Sequence, residues 1–250
     1  MVSRKEILDW CSQELALSQF RDFSPNGLQI EGTRDISKIV CAVTASQAAI
    51  DFAIAQQADM LLVHHGMFWK SEPSIITGWK KQRIQSLITS NINLVGYHLP
   101  LDAHQQWGNN VQLAVKLGWV IDGYSGEQNL LQYGRLSQPQ SSKELAQHIA
   151  RVLKREPLLL CHDPHQPVQR LAWCSGGGQS FFQQAIELGV DVFITGEVSE
   201  PQYHLAVESG VGFIAAGHHA TERYGIQALA AAISAQFKLS YQFFDEANPV

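Results

Sequence analysis

Short apolar runs alternate with longer amphipathic stretches along most of the chain. KIVCAVT (38–44) has almost no polar break and reads as a buried strand. SQAAIDFAIAQQA (46–58) has helical spacing and opens on Ser46, a side chain suited to cap a helix. MLLV (60–63) then reads as a second strand, KQRIQSLITSN (81–91) as a helix and INLVGYH (92–98) as a third strand. NNVQLAVKLG (109–118) reads as a helix with an asparagine start and a glycine stop, and MVSRKEILDWCSQEL at the N-terminus as an amphipathic helix. Strand–helix–strand alternation predicts an α/β fold whose mainly parallel sheets carry helices on both faces.

The pattern is duplicated. Residues 170–198, RLAWCSGGGQSFFQQAIELGVDVFITGEV, lie over 38–66 without a gap, so that Gln179 falls on Gln47, Asp191 on Asp59, and Gly196–Glu197 on His64–His65. VGFIAAGHHATE (211–222) lies over INLVGYHLPLD (92–102), which sets His218-x3-Glu222 against His98-x3-Asp102. Residues 1–124 are therefore expected to form a first α/β repeat and 169–250 a second. Between them, 125–168 reads as a structured connection: a turn-rich stretch, the helix KELAQHIARVLK, the short strand PLLLC and the turn HDPHQP.

Composition narrows the class. The chain has 250 residues, 45% hydrophobic and 16% charged, enough to bury a substantial core. No apolar run reaches the roughly 18 residues a membrane span needs. The formal net charge of −5 disfavours general adhesion to nucleic acid or anionic membrane. The one compact basic run, KKQR (80–83), reads first as a solvated helix face and second as a phosphate contact. Cys11, Cys41, Cys161 and Cys174 are scattered without metal or redox spacing, and Cys41 and Cys174 sit in apolar strands as buried thiols, so a cytoplasmic setting is expected.

Ligands of open α/β sheets sit beyond the carboxyl ends of the strands. There the sequence puts His64, His65, His98, Glu197, His218 and His219. A set of histidines and carboxylates without cysteine suits zinc, iron, manganese, nickel or cobalt, and argues against a structural zinc site. Glu222 follows His218 by one helical turn and shares its face. Pro100 is expected to bar a regular helix through 98–102, leaving Asp102 to reach inward from a turn. His64, His65, Asp102, His218 and Glu222 come from three segments, with His98 close by. Five groups, one a bridging carboxylate, suit two divalent ions about 3.5–4 Å apart. An isolated His-His pair is more often a hydrogen-bonded core or surface feature, and His219 is read that way; the combined set on duplicated strand ends favours metal.

SPNGLQIEG (24–32), VHHGMFWK (63–70), YHLPLDAHQQWGNN (97–110), GGGQS (176–180), TGEVSE (195–200) and AGHHATER (216–223) together resemble the GTP cyclohydrolase 1 type 2 homologues, particularly their short bacterial form. The resemblance spans nearly the whole chain. It implies a pair of intertwined α/β repeats, a toroidal homohexamer with two-metal sites facing its interior, and metal ligands at His64, His65, Asp102, His218 and Glu222. It also implies hydrolytic opening of a purine ring, with GTP or a related nucleotide as substrate.

Under that reading His98 is the proton shuttle, with a ligand or supporting role as its alternative. Glu197 orients water or merely starts a helix. SGGGQS cradles a phosphate or makes a tight turn in a crowded site, and Asn26-Gly27 is a turn first. Trp69 stacks on a base beside Lys70 or contacts a neighbouring chain in the ring, whose interfaces should also cover the MFWK and GWKK stretches. The competing class is a non-catalytic metal-containing ring that binds nucleic acid or protein.

Overall fold

The structure, a computed structural model, describes residues 1–250 and divides into two compact units. The first comprises Met1–Gly108 and Gly225–Ala247, the second Asn109–Tyr224 and Asn248–Val250.

The first unit is built on a five-stranded sheet in the order Ser240–Phe243, Lys38–Thr44, Met60–His65, Asn93–Gly96 and Gly27–Ile30. The first three pairings are parallel; Gly27–Ile30 closes the edge antiparallel to Asn93–Gly96. Its central strands are uninterrupted apolar runs because both faces are buried. Ile39, Cys41, Met60 and Leu62 pack on one face with Ile7, Cys11, Ile226, Leu229 and Ile233. Val40, Ala42, Leu61 and Val63 pack on the other with Ile50, Ala53 and Leu87. The alternation is the period-2 geometry of a strand written into two cores. Ser46 caps the helix Gln47–Ala55 by accepting from Ala49 N at 3.1 Å, as its position predicts.

The second unit has a six-stranded sheet in the order Val120–Ser125, Leu131–Ser141, Pro167–Cys174, Val192–Thr195, Gly212–Ala215 and Leu158–Leu160. Pro167–Cys174, Val192–Thr195 and Gly212–Ala215 are mutually parallel, and antiparallel strands flank them. Trp173, Val192, Ile194 and Ile214 face Leu113, Leu117, Leu145 and Ile149. Phe182, Phe193 and Phe213 form a ring cluster with centroids 5.0–5.8 Å apart. The fold class is the expected α/β, with parallel strands at the centre of each sheet.

Two local expectations are corrected. The stretch read as turn-rich contains an eleven-residue strand, Leu131–Ser141, held between two others. Gln132 is buried opposite Trp173, whereas Arg135, Ser137 and Gln138 are exposed, and Pro139 sits at the register shift opposite Val168–Arg170. The second correction is at Pro100. Leu99–Ala103 is a short helix, with Leu101 N and Asp102 N both bonded to His98 O at 2.8 and 3.2 Å. Proline in a first turn lacks only an N–H that would have had no helical acceptor. Asp102 is thus carried on a helix, as Glu222 is.

No helix is long and apolar enough to cross a membrane.

Candidate metal centre

In the first unit, strand Met60–His65 ends in the two adjacent histidines, and Asn93–Gly96 delivers Tyr97 and His98 beside them. Ring centroids of His64 and His65 lie 4.5 Å apart, and His98 stands 5.2 Å from His64 and 5.8 Å from His65. One ligand atom from each of the three lies within 4.8 Å of the others. The chain turns away at Gly66, packed so tightly that a Cβ would collide with the Gln29 amide. That amide in turn accepts from Met67 N at 2.7 Å and donates to Pro25 O at 2.8 Å.

Each of these imidazoles has its Nδ1 against a protein group. His64 Nδ1 meets Tyr97 O at 2.9 Å, His65 Nδ1 meets Thr44 Oγ1 at 3.3 Å, and His98 Nδ1 meets Asp22 Oδ1 at 2.7 Å. This is the arrangement that orients a ligating histidine and leaves Nε2 as the nitrogen it offers a metal. Asp102, only 6% exposed, brings Oδ1 to 3.5 Å from His64 Nε2.

The second unit repeats the device. His218 and Glu222 stand one turn apart at the start of helix His218–Phe237, with Nε2 3.2 Å from Glu222 Oε2. His218 Nδ1 lies 2.6 Å from Glu197 Oε1. Glu197 therefore bonds the imidazole, a role that neither reading of it anticipated. Burial pushes the His218 pKa down, but the carboxylates of Glu222 and then Glu197 outweigh it and raise the value to about 9. Gly176 has φ +63° and lies so close that a Cβ would collide with Glu222 Oε1 and His218 Nε2. Its N–H donates to Thr221 Oγ1 at 2.9 Å and its carbonyl accepts from Gly196 N at 2.8 Å. The glycine-rich segment thus packs as a turn against His218 and Glu222.

The donors fit divalent cations. Glu222 (3% exposed) and Asp102 are buried carboxylates beside imidazoles, and carboxylates are costly to bury unless a cation or other charge partner completes them. His64, His65, His98 and His218 each have an oriented ring.

Other sequence candidates divide. Asn26 holds the site: its Oδ1 accepts from His98 N at 2.8 Å. Trp69 stands edge-on to His98 at 4.9 Å and 5.9 Å from His65, so within the chain it is a wall of the histidine cluster. Met67 is 3% exposed in the chain's own core, which removes it from any interface, whereas Trp79 is 57% exposed. Lys80 is buried, its Nζ 3.1 Å from Pro73 O, so the basic run is only partly a solvated face. His219 is buried and its N–H donates to Val250 O at 3.0 Å.

Sequence reasoning missed Asp22. Its Oδ1 accepts from Phe23 N and Ser24 N and its Oδ2 from Asn26 Nδ2 and Leu99 N, besides the contact to His98. Burial raises the carboxyl's pKa, but His98, Asn26 and Leu99 prevail and hold it at about 2. The only local signal is its position in RDFSPNG, four residues before Asn26.

The Duf34/NIF3 (NGG1p interacting factor 3) family model matches residues 2–249. A Neisseria meningitidis protein named GTP cyclohydrolase 1 type 2 homolog is 56% identical over 249 residues, covering all of both chains. An Escherichia coli protein of the same name is 47% identical over 244 residues, 98% of each. Among solved structures, a structural-genomics protein called ybgI and described as of unknown function superposes with a TM-score of 0.96 at 47% identity over the full length of both. A Thermus thermophilus protein does so with 0.90 at 33%, again over both whole chains.

Proposed function

This chain belongs to the Duf34/NIF3 family, and on that footing we propose that it is a dinuclear-metal hydrolase acting on a nucleotide or purine-like small substrate. His64, His65, Asp102, His218 and Glu222 would hold two divalent cations, drawn from zinc, iron, manganese, nickel or cobalt. The observation that carries this reading is the common orientation of the imidazoles. In His64, His65, His98 and His218 alike, Nδ1 is engaged by the protein, and the carboxylates beside them are buried.

Bound there, two cations would supply Lewis-acid polarisation of a substrate oxygen and acidify a water to near-neutral pKa. The protein's own groups do the rest. Glu197 fixes the plane of His218. The Gly176 turn excludes bulk around Glu222. His98 takes a proton on Nε2 and returns it to the leaving group, and Trp69 walls its ring from one side. GTP is the first substrate to try, because the curated relatives carry a GTP cyclohydrolase-type name. The same reading makes the protein a homohexameric ring acting in the cytoplasm.

The deciding experiment is a screen of GTP, other nucleotides and simple phosphoesters on metal-replete protein, with Glu222→Gln as the blank. Hydrolysis above the blank supports the reading. Identical traces for both proteins on every compound end it and favour a metal-containing ring that binds nucleic acid or protein partners.

A further inference from the structure

The side chain of Asp22 is 5% exposed and lies 76 positions from His98 in sequence, yet its two oxygens face donors almost exclusively. Three are backbone amides, those of Phe23, Ser24 and Leu99, and a fourth is the Asn26 side-chain amide. The Asn26 flip is itself fixed, because its Oδ1 accepts from His98 N. A group surrounded in this way has to be acceptor-only, which for this side chain means ionised carboxylate. An ionised carboxylate cannot donate, so the 2.7 Å contact to His98 Nδ1 requires the proton to sit on the nitrogen.

We propose that Asp22 is the positioning residue that fixes His98 in its Nδ1–H form and presents the Nε2 lone pair to the cluster of His64 and His65. The proposal rests on the reading of His98 as the proton carrier. In the step it serves, one proton leaves the attacking water for His98 Nε2, the Nδ1 proton stays on the ring hydrogen-bonded to Asp22, and the proton on Nε2 then passes to the leaving group. Nothing is consumed. The partner choice separates His98 from its neighbours, since His64 and His65 place Nδ1 against a backbone carbonyl and a hydroxyl. Of the three Nδ1 partners only that of His98 is a carboxylate, and its contact is the shortest. The second unit builds the same carboxylate–imidazole contact at His218 from Glu197, whose place in the duplication corresponds to His65 and not to Asp22. The arrangement has therefore been reached twice from different positions, which points to a need for it rather than to inheritance from one ancestral contact.

The test reads the tautomer directly. Metal-free protein labelled with 15N-histidine gives two-bond imidazole correlations, and His98→Gln assigns the His98 signals by their loss. The expected neutral form carries its proton on Nδ1; a proton on Nε2 overturns the proposal. Asp22→Asn brings an amide NH2 among donors and should move His98 towards the Nε2–H form. It should leave the signals of His64 and His65 and the metal content at wild-type levels, and reduce any turnover to that of His98→Ala. A folded Asp22→Asn protein with an unchanged His98 tautomer overturns the proposal as well. If that variant does not fold, the wild-type spectrum decides alone. An Nδ1–H tautomer in a protein that turns over no nucleotide would sink the hydrolase reading while leaving the role of Asp22 intact.

Discussion

Glu197 Oε1 lies 2.6 Å from His218 Nδ1, while Glu222 Oε2 stands 3.2 Å from Nε2 of the same ring. An imidazole held between two carboxylates keeps its proton longer than one in water, and its pKa of about 9 lies well above the ordinary value near 6.5. A pKa raised by folding contributes stability that is fully present below about pH 6.5 and is lost as pH rises through about 9. In metal-free protein, the melting-temperature difference between wild type and His218→Gln should be largest near pH 6 and shrink towards pH 9.5. Glu197→Gln should pull the midpoint of that loss to lower pH. A difference that stays constant with pH would show that the two carboxylates do not hold the proton.

A cation arriving at His218 must displace that proton. Metal affinity is therefore expected to rise with pH up to about 9. Calorimetry in buffers of different ionisation enthalpy should report proton release on binding, and elemental analysis of protein purified without chelator should give two ions per chain. One ion or none would remove the two-metal reading.

Gly176 offers a test of how tightly His218 and Glu222 are packed. Alanine there meets both a positive φ and the carboxylate of Glu222. Gly176→Ala should cost about 1–3 kcal/mol in denaturant unfolding and release at least one metal. Gly210→Ala is the control: its φ is also positive, but nothing lies within 4 Å of the added carbon. It should cost stability without touching metal content.

His98→Ala should lower turnover by about 10²–10⁴-fold with metal content intact, the size expected of a lost proton carrier. Loss of an ion in that variant would make His98 a ligand instead.

Light scattering should give a particle about six times the 27.8 kDa of one chain. Trp79, exposed on helix Gly78–Thr89 with Arg83 over its ring, is the aromatic that a neighbouring subunit should cover. Trp79→Glu should shift the population to smaller species, and a wild-type monomer at micromolar concentration would exclude the ring.

What can be read in the sequence follows burial. Lys38–Thr44 is legible to the residue because a strand covered on both faces leaves an unbroken apolar run. Leu131–Ser141 is hidden because its exposed half is filled with glutamine, serine and proline, which resemble turn residues when neighbours are unknown. His64, His65 and His98 are legible because strand ends are where such sheets place ligands, and the structure brings the three together. Thr44, Tyr97 and Asp22 are not, because each meets its histidine only through a contact that folding makes. Pro100 misleads because proline breaks helices only beyond their first turn.

Strand Ser240–Phe243 pairs with Lys38–Thr44, and Ser240 N bonds Ser37 O at 3.2 Å across 203 positions. During synthesis the ribosome therefore releases the edge of Lys38–Thr44 long before the strand that covers it exists. The nascent first unit carries an open, apolar sheet edge while Asn109–Tyr224 of the second unit is made. Loop-closure entropy makes that last pairing slow, and an open edge is a template for other chains. The protein is thus most exposed to aggregation in the interval before Ser240–Phe243 emerges, and chains stalled or cut before residue 240 should be the ones that chaperones and proteases capture.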